Sequence, residues 1–224
     1  MIVPRETPKI TGLNSYFLEL DRLVAHMQRE IGSGSIYCRS IAQEIMIHFS
    51  PVEVVNCLCQ DGRQPLRRPL ALGAAIEALG RRNFQVSVHY LDLNAVYFWS
   101  QIPPFIRQDD VFITRSRFFQ DLIEGYSEAR FSGFLDLSAG DAGGVVFFDQ
   151  GRMIGGSYSW GRGGLSPWED DFNKLVALAG SGKNLLQSAR FTEGGPAMCR
   201  GLNTPPWGKR GHLWVGTMRS KDFS

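Results

Sequence analysis

Apolar residues Leu20, Leu23, Val24 and Met27 recur at the i, i+3, i+4, i+7 spacing of a helix with one buried stripe, while Glu19, Asp21, Arg22 and Arg29 lie off it. The same spacing returns at Phe119, Leu122, Ile123 and Tyr126, with Arg117, Gln120, Asp121 and Glu124 off the stripe. Each set predicts an amphipathic helix packed on a sheet. The two sets stand 99 positions apart, and the same shift superposes the downstream segments. SGSIYCR at 33–39 falls over SGFLDLS at 132–138, and EIMIHFSPVEVVNCLCQDG at 44–62 falls without a gap over GGVVFFDQGRMIGGSYSWG at 143–161. Few residues are identical: Ser33 and Ser132, Gly34 and Gly133, Phe49 and Phe148, Gly62 and Gly161. The apolar pattern repeats instead, pairing Ile36 with Leu135, Cys38 with Leu137, Met46 with Val145, Ile47 with Val146, Val54 with Met153, and Val55 with Ile154. Strand facing holds such a pattern in place, because a slip of one residue turns every side chain over.

A second helix comes after each strand group, carried by Leu72, Ala75, Ile76 and Leu79 in the first copy and by Trp168, Phe172, Leu175, Val176 and Ala179 in the second. For the latter, Ser166 is read as N-cap, Pro167 as the first helical residue, Glu169 as the third residue after the cap, and Gly180 as the stop. Phe84, Val86, Val88 and Tyr90 alternate with polar residues, as in a half-buried strand. Asp92, Leu93 and Asn94 then read as a turn into AVYFWS, which predicts a hairpin. Each copy thus reads helix, three strands, helix, strand, over about 10–101 and 109–193. The fold class expected is α+β: two tandem homologous units, each an antiparallel sheet flanked by helices. Pro103 and Pro104 in the link QIPPFIRQDD favour extended backbone and a domain boundary. An exposed linker over Pro103–Asp110 would be cut by protease to leave two folded fragments.

Composition narrows the class further. The chain has 224 residues, of which 43% are hydrophobic, enough for one large domain or two small ones with real cores. No apolar run approaches a membrane span, and the opening MIVPRETPK lacks the apolar stretch of a secretory signal, so a cytoplasmic protein with no membrane partner is expected. Four cysteines at 38, 57, 59 and 199 are too scattered for a disulfide framework. The tail 195–224 is atypical: it continues neither copy and holds five Lys or Arg against one Asp, so the remainder of a +2 chain is net negative. That balance speaks against nucleic acid as a partner, since phosphate neutralisation supplies most of such affinity.

Candidate chemistry is sparse. Cys57 and Cys59 share one strand face but lack the C-x-x-C spacing of a redox pair and the further ligands zinc requires. The four histidines, His26, His48, His89 and His212, have no recognisable nucleophile or carboxylate beside them, and His48 stands where the second copy has Phe147, a packing position. No catalytic residue, metal or cofactor is therefore expected. The segment GRMIGGSYSWGRGG at 151–164 is the most unusual, with six glycines. Gly151 suits a type I turn with a glycine bulge, and Gly155 and Gly156 suit a strand bulge. Tyr158 and Trp160, at alternating positions on one strand face, have with Arg152 and Arg162 the composition of a protein contact surface, and the aromatic pair fits a core position equally well. The loop ahead of the second helix offers another reading, in which Gly163, Gly164 and Ser166 hold an anion or nucleotide at the helix N-terminus.

The string FSGFLDLSAGDAGGVVFFDQGRMIGGSYSW resembles a PATAN-type domain, the module at the N-terminus of PatA-like bacterial response regulators. Gly133, Leu135 and Leu137 match its first element, and Phe148, Gly151 and Ile154 its second. The resemblance covers about 115–180 and, more weakly, 15–80, where Pro51 and Val52 replace Gln150 and Gly151. It implies a non-enzymatic module in bacterial signalling that makes protein–protein contacts, which together with the cytoplasmic expectation reads as a stand-alone adaptor; a second copy of the chain, forming a homo-oligomer, is a further candidate partner. The alternative is a sensor of a small molecule or nucleotide at the glycine-rich loop.

Overall fold

The computed structural model describes residues 1–62, 67–108, 111–113, 116–167, 169–179 and 184–192. The first half runs β1 (Ile10–Asn14), a short 3-10 turn (Ser15–Phe17), α1 (Leu20–Glu30), β2 (Gly34–Arg39), β3 (Gln43–Phe49), β4 (Val54–Asp61), β5 (Arg68–Pro69), α2 (Leu72–Arg81), β6 (Gln85–Tyr90) and α3 (Leu93–Ser100). The second runs β7 (Phe105–Arg107), β8 (Val111–Ile113), α4 (Ser116–Glu128), β9 (Gly133–Ala139), β10 (Ala142–Asp149), β11 (Arg152–Tyr158), α5 (Glu169–Ala179) and β12 (Asn184–Phe191). The first sheet has the order β1-β6-β2-β3-β4-β5, and the second β11-β10-β9-β12-β7 with β8 also on β12. The two halves therefore repeat one antiparallel topology, with β7 and β8 together in the place of β1.

The repeat extends to its irregularities. The β3–β4 ladder skips Val55 between the pairs His48–Asn56 and Phe49–Val54, and the β10–β11 ladder skips Ile154 between Phe147–Gly155 and Phe148–Met153. The two bulges are 99 residues apart and aim the extra side chain toward one shared core, where Ile154 is buried and Val55 packs against it. At the start of the central strands a Cβ on Gly34 would overlap the carbonyl oxygen of His89, and one on Gly133 that of Ala189. Only glycine fits this close approach.

Each sheet buries its outer face under its own helix pair. In the first half Leu20, Val24 and Met27 of α1 and Ala75 and Leu79 of α2 cover Ile36, Cys38, Ile45, Ile47, Cys57 and Cys59. In the second, Phe172 and Leu175 of α5, with Leu122, Ile123 and Tyr126 of α4, cover Leu135, Leu137, Val146 and Phe148. Ile76 departs from the expected stripe and is 38% exposed. The Phe119 side chain, Trp168, Gly180 and the tail 195–224 lie outside the described residues.

The structure corrects three expectations. The segment expected as a hairpin strand is the helix α3, capped by the Asp92 carboxylate, which accepts the Ala95 N–H at 2.7 Å. The helix lies between the inner faces of the two sheets and contributes Ala95, Val96, Phe98 and Trp99 to a core that also holds Phe134, Val145, Phe147 and Ala189 of the second sheet. Helix α5 begins at Glu169 and Pro167 is not part of it; Ser166 forms a bridge with Gly156, its hydroxyl donating to Asp171. The hairpin at Gln150–Gly151 has two central residues, both with positive φ (49° and 80°), which is a primed turn and not a type I turn with a bulge.

The link between halves is likewise not a free tether. Ile102 and Phe105 are buried in the shared core, and β7 pairs with β12. From the first half, Arg67 donates to the carbonyls of Ile102 and Pro103 and stands 5.3 Å over the Phe105 ring. Trypsin is therefore expected to leave no stable fragment ending at Arg107, although that side chain is exposed. A folded 1–107 product on a gel, with native circular dichroism, would contradict the fused body.

Candidate functional site

Face-to-face packing leaves the inner sheet surfaces apolar at one end, around α3, and polar at the other. The polar end is a cleft of about 830 Å³, within the range of small-molecule sites. One wall is the inner face of the first sheet: Tyr37 and Arg39 of β2, Glu44 of β3, Gln60 of β4, and Ser87 and His89 of β6. The opposite wall carries Asp136 of β9, Gln187 of β12 and Arg107 of β7. A strap formed by the start of the chain, ahead of β1, crosses between them. Its Arg5 is ion-paired with Asp136 and donates to Ser138 at 3.2 Å, and the Met1 amino group is ion-paired with Glu44. Glu44 also accepts a hydrogen bond from the Tyr37 hydroxyl. Gln60 Oε1 is buried on this wall with no donor among the described residues.

Glu6 anchors the strap to the second sheet, accepting a 2.7 Å hydrogen bond from Ser157 Oγ, which in turn accepts from the Arg5 N–H at 2.8 Å. The carboxyl is only 5% exposed, and burial, with Asp92 adding to it, pushes its pKa up to about 7 against the opposing pull of Ser157. Burial acts in the opposite direction on His89, held down near 4. His48, wholly buried on the inner face of β3, is held near 3 by burial and by Arg67. Because the folded-state pKa of Glu6 exceeds the ordinary 4.5, its stabilisation is complete below pH 4.5 and is lost as pH rises through 7. Glu6→Gln, which is neutral at every pH, is expected to match wild type at pH 4 and to exceed it by about 3 kcal/mol at pH 8. Urea titrations of both proteins at the two pH values check this; equal stability at pH 8 would refute it.

Of the two readings of the aromatic pair, the structure favours the core. Tyr158 is 1% exposed, belongs to the core beneath α4 and α5, and fills the space over Gly144 and Gly156. Trp160 stacks on it at 5.2 Å, donates to Asp171 at 2.7 Å and lies under the Lys174 ammonium, so it too is a packing element. Arg152 and Arg162 are exposed. The glycine-rich loop seats against the first half: the Gly163 carbonyl accepts from Asp92 N–H at 2.9 Å, and Cβ atoms on Gly163 and Gly164 would lie 2.6 Å from the Tyr90 ring and 2.5 Å from the Asp92 carboxylate. That acidic neighbour disfavours an anion there, and Ser166 already serves Asp171.

Cys38 and Cys57 lie under the helices of the first half, where burial pushes the Cys57 thiol up to about 12 and that of Cys38 higher still. Thiols held protonated in this way are poor nucleophiles. No group of His, Cys, Asp and Glu among the described residues is placed to hold a metal ion, and no described helix is long and apolar enough to cross a membrane. The cleft itself is not evident from sequence, where its residues read as the solvent face of ordinary strands. The available signal is the polar run Tyr37, Arg39 and Glu44 and its counterpart Asp136 and Ser138 on the faces opposite the apolar repeat. Compared with known proteins, the chain matches no family model, no curated protein and no solved structure.

Proposed function

We propose that this protein is a non-enzymatic sensor that holds a small polar molecule in the cleft between its repeats. The single observation carrying this reading is a cleft of about 830 Å³ built jointly by both sheets and the strap, with polar groups of both halves turned into it. A molecule bound there bridges two units in one body, so occupancy alters how firmly they are held together. Thermal unfolding of the full chain with a panel of nucleotides, sugar phosphates, organic acids, amino acids and polyamines tests it. A binder at about a hundred times its Kd stabilises the folded state by about 2.7 kcal/mol, which for a domain of this size raises Tm by roughly 5–10 °C. Ser87→Phe, which fills the cleft from β6, is expected to abolish that shift. No shift from any member of the panel at millimolar concentration would overturn the reading.

A second reading is the cytoplasmic bacterial adaptor implied by the PATAN resemblance. The observation favouring it is an exposed aromatic pair at the entry to α1, Tyr16 at 75% and Phe17 at 82% exposure, with rings edge to face at 5.0 Å. Exposed aromatics of this size favour protein contacts. Tyr16→Ser with Phe17→Ser is expected to abolish recovery of any protein partner in a pull-down; an unchanged set of partners would remove this reading.

A further inference from the structure

We propose that the cleft takes an oxyanion, a carboxylate or phosphate group, bound jointly by Arg39 of the first repeat and Arg107 of the second. This rests on the cleft being a binding site. The inference comes from which charges remain after the cleft has satisfied itself. Asp136 is matched by Arg5, and Glu44 by the Met1 amino group and the Tyr37 hydroxyl. Glu6 accepts from Ser157 and forms no ion pair among the described residues. Two cations of the lining are left over: among the described residues neither Arg39 nor Arg107 has a carboxylate within ion-pair distance, and Arg107 donates to the neutral amide of Gln187 at 3.2 Å.

These two guanidiniums come from different sheets but bear on one place. Arg39 acts electrostatically on Glu44 and Tyr37, and Arg107 on the Met1 amino group that is ion-paired with Glu44. Both line the same cleft, and both are exposed to solvent. Guanidinium presents paired N–H donors in the geometry of a carboxylate or phosphate, and two of them across a cleft favour an anion over any neutral or cationic ligand. An anion seated there neutralises the surplus charge and ties β2 of one repeat to β7 of the other.

Isothermal titration of the full chain tests this with inorganic phosphate and citrate as anions, xylitol as a neutral probe and spermidine as a cation, at constant chloride. Binding by phosphate, citrate or both is expected, with none by xylitol or spermidine, and the two anions separate phosphate from carboxylate chemistry. Arg39→Gln and Arg107→Gln are each expected to weaken binding roughly tenfold to a hundredfold. Near-ultraviolet circular dichroism confirms that these surface variants stay folded. Two results would overturn the inference while leaving the cleft a binding site: xylitol or spermidine binding that Ser87→Phe abolishes while the anions do not bind, or anion binding indifferent to both arginine substitutions. Silence from every probe here and from the wider panel would remove the cleft reading itself.

Discussion

Gly133→Ala is expected to destabilise the protein by about 4 kcal/mol or more, and Gly34→Ala by a similar amount, because neither can be relieved by a side-chain rotation. In both, the new methyl would overlap a backbone carbonyl oxygen of the neighbouring strand, Ala189 or His89, and that strand is itself paired on its other edge. A ring crowds the same spot in each half, Phe131 beside Gly133 and Phe49 beside Gly34. To admit the methyl, the sheet must open at its centre. Gly73→Ala provides the control: it lies in α2 with nothing within 4 Å of the added carbon, so it is expected to stabilise by about 0.5–1 kcal/mol through helix propensity. Chemical denaturation of the three variants measures all of this. Tolerance of alanine at either strand glycine would show that the equivalent positions do not carry the same constraint.

Phe147→Ala is expected to cost about 3–5 kcal/mol. Its ring meets Phe98 edge to face at 4.8 Å and Trp99 at 5.3 Å, so it joins β10 of the second sheet to the helix α3 that ends the first repeat. The side chain is fully buried, and truncation leaves a cavity at the centre of the shared core, where two sheets and a helix restrict collapse. The change is expected to lower the stability of both repeats together, with tryptophan fluorescence and far-ultraviolet circular dichroism giving coincident transitions. If the second repeat alone were weakened, the two curves would separate.

Much of the fold is legible in the sequence because alternating strands under amphipathic helices leave a local record. The pairs Ile36 and Leu135, Cys38 and Leu137, and Ile47 and Val146 are all essentially inaccessible beneath equivalent helices. Helix α3 leaves no such record. Its residues Ala95, Val96, Phe98 and Trp99 are buried on more than one side, so no polar stripe marks the period, and Asp92 reads equally well as a turn or a cap. Tyr158 and Trp160 do share a face, in keeping with their alternation, but that face is covered by α5, which sequence spacing alone does not reveal. The cleft is illegible for a different reason. Its defining contacts, such as Arg5 with Asp136, join positions 131 residues apart and arise only when two sheets meet face to face.

The same meeting explains why the residues proposed to bind are drawn from both halves. A shared apolar core at one end fixes the spacing at the other, so the cleft exists only while the repeats stay docked. Hydrogen exchange read by mass spectrometry in increasing urea, on wild type and Phe147→Ala, measures that docking most directly. Amides of β3 (Gln43–Phe49) and β10 (Ala142–Asp149) are expected to open in one step, and the substitution to lower both opening energies by the same amount. Faster exchange in β10 while β3 keeps its wild-type protection would mean that the halves are independent domains and that the cleft between them is not a built site.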